Sequence, residues 1–233
     1  MNARTDSVLR VGIDSAPPVP LQNGRPEAGN FCGYEVDMLQ EIAKRLNFTI
    51  RYRKALWSVI IDELSGGALD LICSAATVTA EREQRVNFCI PYLKLKLAFV
   101  VCAECNASLD LSTSRIGVRS GTTAERYLLH RSNGRKPSML SESNEELYSA
   151  LRRKMLDSVI DDSPIARHFS ETMPELKYGG TFDGTEAGYA VMTRAGNTAL
   201  RDQISSTISS LEDDGTLPSL RRRWFGSENL LVA

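Results

Sequence analysis

Strand-like and helix-like hydrophobic patterns alternate along the N-terminal part of the chain. Residues 8–13, 48–53 and 69–73 have the short alternating or continuous apolar runs of strands. Between them, residues 34–46 and 58–64 carry apolar side chains at helical spacing. The order strand, helix, strand, helix, strand is typical of an α/β unit with parallel strands and right-handed crossovers.

The stretch Leu69–Arg85 is the first candidate ligand site. Its apolar run leads into the small polar segment 74–79, and a charged helix start follows at 80–83. Ligands of open α/β sheets commonly bind where a strand ends in such a loop. Small side chains expose the backbone, hydroxyls can bond a ligand, and Arg82 offers a planar fork for a carboxylate. The alternative is a surface helix start with a solvated arginine.

A second set of alternating elements follows between about residues 97 and 190. Residues 93–101 are predicted as one extended strand that leaves the first unit. A strand at 115–118 runs into a Gly-Thr-Thr turn, whose free backbone N–H groups can meet a ligand. A strand at 156–160 precedes Ser163, which we expect to cap a helix that has proline at its first position.

Composition excludes some classes of function. The 233 residues include 28 basic and 29 acidic residues, so the formal charge of −1 argues against a nucleic-acid partner. No apolar run reaches the ~18 residues that span a bilayer, and the N-terminus lacks the apolar core of a signal peptide. No motif predicts a cofactor or a metal site.

The five cysteines leave at least one thiol unpaired within the chain. Cys102 and Cys105 have the spacing of a redox motif, but no obvious helix begins there. We interpret the pair as structural, either as a loop disulfide or as spare thiols.

The motifs occur in an order that resembles one known family. They are a GYEVDML helix, a Trp before a helix, a D-L-I-x-S strand, T-x-T-x-E-R, N-F-x-x-P-Y, R-I-G-V-x-S-G-T-T and D-S-V-I-D-D-S-P. From Leu9 to Gly226 the chain is similar to the periplasmic solute-binding proteins for polar amino acids, family 3 of the ABC-transporter substrate-binding proteins. The same family gave the ligand domains of ionotropic glutamate receptors.

The resemblance implies an α/β, two-lobed periplasmic binding protein-like II fold, with two open mixed sheets joined by two crossover strands. Residues 1–95 and 193–233 would form lobe 1, and residues 96–192 would form the inserted lobe 2. The ligand would bind in the cleft between the lobes, which close over it. Ligand binding that bridges two lobes favours the closed state.

The resemblance also assigns roles to residues of the first lobe. Arg82 would grip the α-carboxylate of an amino acid, with Thr77 as a hydroxyl partner. The backbone at Ala75, next to Ser74, would lie beside the same end of the ligand. Trp57 would form an aromatic wall.

In the second lobe, Thr123 would be a further carboxylate clamp, and Asp162 would receive the α-ammonium. Arg119 would meet oxygens of the ligand side chain and favour an acidic or amide ligand. Asp14, in the first loop, would instead favour a basic ligand or would pair with Arg119. The family commonly has an aromatic residue where this chain has Pro17.

Two other classes share the fold. A cyclohexadienyl or arogenate dehydratase-like enzyme is one, but that branch carries a glutamate where this chain has Ala124. A ligand-sensing domain of a receptor or kinase is the other. The resemblance itself implies no enzyme and no cofactor, a periplasmic location after removal of a signal, a monomer, and the membrane permease of an ABC transporter as partner.

Overall fold

The computed structural model describes residues 7–16, 18–24, 26–105 and 108–226, which divide into two compact units. One unit comprises Met1–Lys94 and Gly188–Ala233, and the other comprises Leu95–Ala187. The sequence placed the second limit five residues later, after residue 192. Pro17 lies outside the described residues. Residues 1–6 lie outside them too, and the expectation about a signal peptide partly rests on these residues.

Twelve strands and eight α-helices occur in the described residues. The strands are β1 (Ser7–Asp14), β2 (Phe48–Ala55), β3 (Leu71–Ile72), β4 (Val86–Phe88), β5 (Leu93–Leu95), β6 (Leu97–Cys102), β7 (Ile116–Arg119), β8 (Met139–Ser141), β9 (Ser158–Asp162), β10 (Leu176–Thr181), β11 (Ala187–Tyr189) and β12 (Met192–Arg194). The helices are α1 (Tyr34–Leu46), α2 (Trp57–Ser65), α3 (Ala80–Glu83), α4 (Thr123–Arg131), α5 (Asn144–Arg152), α6 (Ser163–Thr172), α7 (Thr198–Asp213) and α8 (Thr216–Phe225).

The first unit is built on a mixed sheet of five strands in the order β2-β1-β3-β12-β4. Strand β1 pairs in parallel with β2 and β3, as the alternating pattern predicts, while β12 pairs antiparallel with β3 and β4. The core beside α2 contains Trp57, Ile60, Leu64 and Ile72. Helix α1 ends at Asn47, whose left-handed φ of 55° is tolerated by asparagine.

The second unit has its own five-stranded sheet in the order β10-β6-β9-β7-β8. Strand β7 is parallel to β8 and β9, whereas β6 is antiparallel to β9 and β10. The sheets are therefore open and mixed, and the predicted fold class is confirmed. Helix α4 contributes Ala124 and Leu128 to the core of this unit.

The prediction of one strand over residues 93–101 is wrong. The run breaks at Lys96, because β5 pairs with β11 in a separate two-stranded sheet while β6 joins the larger sheet. An alternating pattern cannot reveal such a change of partner, since side chains alternate in both segments. Strands β5 and β11 are the segments in which the chain passes between the units.

The expected cap of α6 is also wrong by one residue. Asp162 is the N-cap, and its side chain makes no capping hydrogen bond. Ser163 is already the first residue of the helix, and Pro164 is the second. The hydroxyl of Ser163 instead accepts a 3.2 Å hydrogen bond from the Lys96 backbone N–H. A tertiary contact has replaced the local cap. Among the helices described, none has the length and apolar character needed to cross a membrane.

Candidate functional site

The candidate residues of the first unit lie where parallel strands end. Asp14 closes β1, and its backbone N–H donates a 3.1 Å hydrogen bond to Ser74 Oγ, just after β3. Asp14 Oδ1 accepts a 2.9 Å bond from the N–H of Ala16, which fixes the turn after the strand. Both Asp14 and Ser74 are buried. The structure thus joins two loops that the sequence could only propose separately.

Ala75 has the left-handed backbone conformation, with a φ of 48°. This conformation is costly for a residue with a Cβ, so the surroundings must hold it in place. The Ala75 N–H donates a 2.7 Å hydrogen bond to Glu35 Oε1. A carboxylate from α1 therefore fixes the backbone that the sequence assigned to the ligand.

Glu35 supports the candidate site, and the sequence analysis missed it. It is 1% exposed, and besides Ala75 it accepts hydrogen bonds from Gln22 Nε2 at 2.8 Å and from the Tyr92 hydroxyl. Burial raises the pKa of its carboxyl to about 7, against the lowering effect of these donors. A sequence signal exists, because Glu35 shares a helical face with Leu39 and Ile42, where a carboxylate is out of place.

Arg82 is buried and fixed from two directions. Its Nη1 donates a 2.8 Å hydrogen bond to the carbonyl oxygen of Thr77, and its guanidinium carbon lies 5.1 Å from the centroid of the Trp57 ring. The hydroxyl of Thr79 caps α3 by accepting from the Arg82 N–H at 3.3 Å. These contacts orient a planar cation in a setting of low polarity, where a charge-assisted bond is strong.

Trp57 has two roles. The residue is 7% exposed and packs in the core with Ile60 and Ile72, so its first role is structural. The same ring also meets Arg82 in a cation–π contact.

In the second unit, the candidate residues again lie at strand ends. Arg119 ends β7, beside Ser141 at the end of β8, and Asp162 ends β9. The Thr123 hydroxyl, in the first turn of α4, donates a 3.4 Å hydrogen bond to Asp162 Oδ1. Arg119 is buried, and its Nε donates to the carbonyl of Glu142 at 2.9 Å.

A second carboxyl stands next to Asp162. Asp161 is 6% exposed, and its two oxygens accept hydrogen bonds from the Asp162 N–H at 2.8 Å and from the Tyr148 hydroxyl at 3.3 Å. Burial, and then the charge of Asp162, raise the pKa of Asp161 to about 7. The raised pKa favours the neutral form of Asp161, which adds no negative charge beside Asp162.

Buried polar atoms without a partner mark two further residues of this edge. In the part of the chain that the structure describes, Glu142 Oε2 and both polar side-chain atoms of Asn144 lie buried with no hydrogen bond. They follow β8, at the same end of the sheet as Arg119. The sequence analysis missed them, because a polar Ser-Glu-Ser-Asn segment before a helix looks like an ordinary cap.

The structure thus brings the predicted residues together within each unit. The connected residues of the first unit are Asp14, Trp57, Ser74, Ala75, Thr77 and Arg82. In the second unit Thr123 is bonded to Asp162, and Arg119 ends the strand next to that of Asp162. Over the described ranges, no group of three or more histidine, cysteine or acidic residues has metal-binding geometry.

Two α/β units with polar side chains at their strand ends define a ligand-binding protein of the solute-binding class. Residues 9–227 match the model of the bacterial extracellular solute-binding proteins, family 3. The chain belongs to this family.

The chain is also similar to individual proteins. The L-cystine-binding protein TcyJ of Escherichia coli K12 is 25% identical over 229 residues, covering 94% of this chain and 83% of the relative. A solved structure of an ancestral arginine-binding protein bound to glutamine has a TM-score of 0.85 and 27% identity, covering 96% of this chain and all of the other. An ancestral amino acid-binding protein described as a precursor of cyclohexadienyl dehydratase has the same fold, with a TM-score of 0.83, 24% identity and coverage of 94% and 96%.

Proposed function

We propose that the protein binds a free polar L-amino acid between its two units and delivers it to the membrane permease of an ABC transporter. Family membership supports the class of function, and relatives named for cystine and solved with glutamine support the class of ligand. The observation that carries the proposal is the buried Arg82, oriented by Thr77 and Trp57.

The zwitterion of an amino acid needs a bidentate hydrogen-bond donor for its carboxylate and a protein carboxylate for its ammonium. Arg82 supplies this donor. Glu35 accepts the Ala75 N–H and so fixes the backbone turn that the ligand would lie beside. Asp162 is the acid, with Thr123 bonded to it as a hydroxyl that can turn toward the ligand carboxylate. Because Arg82 and Asp162 belong to different units, a ligand that uses both favours a closed arrangement.

The side chain of the ligand is selected by other residues. Arg119, buried and fixed by the Glu142 carbonyl, favours an acidic or amide side chain. A basic ligand is the second candidate, because Asp14 is a buried acid in the first loop. We place the protein in the periplasm as a monomer.

The protein acts in this proposal without transforming the ligand. At the position where the dehydratase branch has a glutamate, Ala124 packs into the core, and the neighbouring Glu125 accepts a 2.8 Å bond from the Gly121 N–H. General acid–base chemistry needs a titratable group in reach of the substrate, and Ala124 supplies none.

Calorimetric titration with the twenty common amino acids and cystine tests the proposal. The protein is first unfolded, dialysed and refolded to remove any ligand that copurifies. We expect one-to-one binding of at least one polar amino acid, and an acidic or amide ligand to lose most affinity in Arg119→Ala. If arginine or lysine binds tightest and Arg119→Ala is neutral, the side-chain assignment is wrong.

A further inference from the structure

We propose that Cys102 and Cys105 form a thiol–disulfide site in the second unit, which reacts with small disulfides through an adjoining cavity. The site is separate from the residues assigned to the amino acid, and the inference does not depend on which amino acid is bound.

The two cysteines stand at the two ends of a tight turn. Cys102 ends β6 and is 5% exposed, whereas Cys105 is exposed. The Cys105 N–H donates a 3.0 Å hydrogen bond to the carbonyl of Cys102, which closes the turn. A turn of this kind holds its end Cα atoms within about 7 Å, close to the range that a disulfide bridges.

A cavity of about 220 Å³ gives access to the pair. It is lined by residues that include Cys102, Cys105, Arg115 and Lys154. Lys154 also pairs with Glu104 at 2.9 Å, which keeps it over the turn. Burial raises the pKa of the Cys102 thiol, so the exposed Cys105 is the thiol that can attack an external disulfide first.

The cavity lies at the opposite end of the sheet from the candidate ligand residues of this unit. Its lining residues Arg115 and Asp157 precede β7 and β9, whereas Arg119 and Asp162 end those strands. Leu97 in β6 is the register partner of Asp162. Cys102 lies five residues further along the same strand, so the distance from Leu97 to Cys102 is roughly 17 Å. Oxidation can therefore occur without disturbing Asp162.

The reaction is thiol–disulfide exchange. The Cys105 thiolate attacks one sulfur of an external disulfide, forms a mixed disulfide and expels one thiolate. Cys102 then loses its proton, attacks the Cys105 sulfur and expels the second thiolate. The protein loses two electrons and two protons in all, and the external disulfide is reduced to two thiols. The buried Cys102, whose thiol donates to the Leu151 carbonyl at 3.3 Å, is the resolving residue.

Thiol counting tests the site. The full-length reduced protein is incubated with oxidised glutathione, quenched with acid, unfolded and alkylated, and the product is read by intact mass and peptide mapping. Two of the five cysteines should become resistant to alkylation, and the peptide across residues 102–105 should lack two hydrogens. The Cys32→Ser variant removes the other exposed cysteine and should give the same linked peptide.

Cys105→Ser is the matched variant, and it should leave Cys102 alkylatable with no linked peptide. The proposal is overturned if Cys102 and Cys105 both remain thiols, or if Cys105 accumulates as a mixed disulfide with glutathione while Cys102 stays free. It is equally overturned if Cys105 pairs with another cysteine. None of these readouts requires an amino-acid ligand.

Discussion

The Arg82 guanidinium lies against the Trp57 ring, with its central carbon 5.1 Å from the ring centroid. Trp57 is anchored in the core beside Ile60 and Ile72, so the ring is a rigid support for the cation. The Thr77 carbonyl fixes the guanidinium from another side. The cation is therefore oriented before any ligand arrives, which lowers the entropic cost of binding.

Arg82→Lys should weaken amino-acid binding by ~2–4 kcal/mol, measured by calorimetry. Lysine keeps the charge but loses the planar fork and its stacking on Trp57. Arg85→Lys is the matched control, because Arg85 pairs with Asp62 at the surface and should leave the affinity unchanged. Equal affinities for wild type and Arg82→Lys would remove Arg82 from the site.

Glu35→Gln should lower the free energy of unfolding by ~1–3 kcal/mol in urea denaturation. Glutamine has one acceptor oxygen and one donor group, so it cannot satisfy Gln22, Tyr92 and Ala75 together. Ligand affinity should fall as well, since Ala75 loses its support. Glu41→Gln on the same helix is the control. A change within ~0.5 kcal/mol for Glu35→Gln, the range of ordinary surface substitutions, would contradict this role.

Local patterns were sufficient to predict much of the fold. Helix α1 has the predicted limits, because its apolar spacing, its charged ends and Asn47 all favour the same helix. The break at Lys96 could not be predicted, because it depends on which sheets β5 and β6 join. The helical face of Glu35 could have shown that it is buried, but its three donors could not be predicted, since they come from distant parts of the chain.

The contribution of Glu35 and Asp161 to the stability of the ligand-free protein should decrease as the pH rises from about 4 toward about 7. Burial raises the pKa values of Glu35 and Asp161 to about 7 in the folded state, so folding binds protons in this interval. Their contribution is complete below the pKa values of the unfolded chain and is lost as the pH passes the folded values. Thermal unfolding at a series of pH values measures the effect.

The variants Glu35→Gln and Asp161→Asn identify the groups responsible. As the pH rises, the unfolding free energy of the wild type should decrease relative to that of each variant. A difference that is constant with pH would show that the substituted group keeps its ordinary pKa.

Thr123→Ala should weaken ligand binding by ~1 kcal/mol, whereas Thr123→Ser should bind nearly as wild type. The reason is that serine retains the hydroxyl that meets Asp162 Oδ1, and alanine does not. Calorimetry on both variants, with circular dichroism to check folding, measures the effect. If serine is as weak as alanine, the methyl group of Thr123 matters and the hydroxyl does not.

The central claim is that Arg82 and Asp162 hold opposite ends of one amino acid. The most direct measurement titrates wild type, Arg82→Lys and Asp162→Asn with the tightest-binding amino acid, its α-amide and its α-hydroxy analogue. The α-amide should lose less affinity in Arg82→Lys than in wild type, and the α-hydroxy acid should lose less in Asp162→Asn, because each variant already lacks the matching contact. The claim would be contradicted if the affinity losses of protein variant and ligand analogue were additive in both pairs, Arg82→Lys with the α-amide and Asp162→Asn with the α-hydroxy acid.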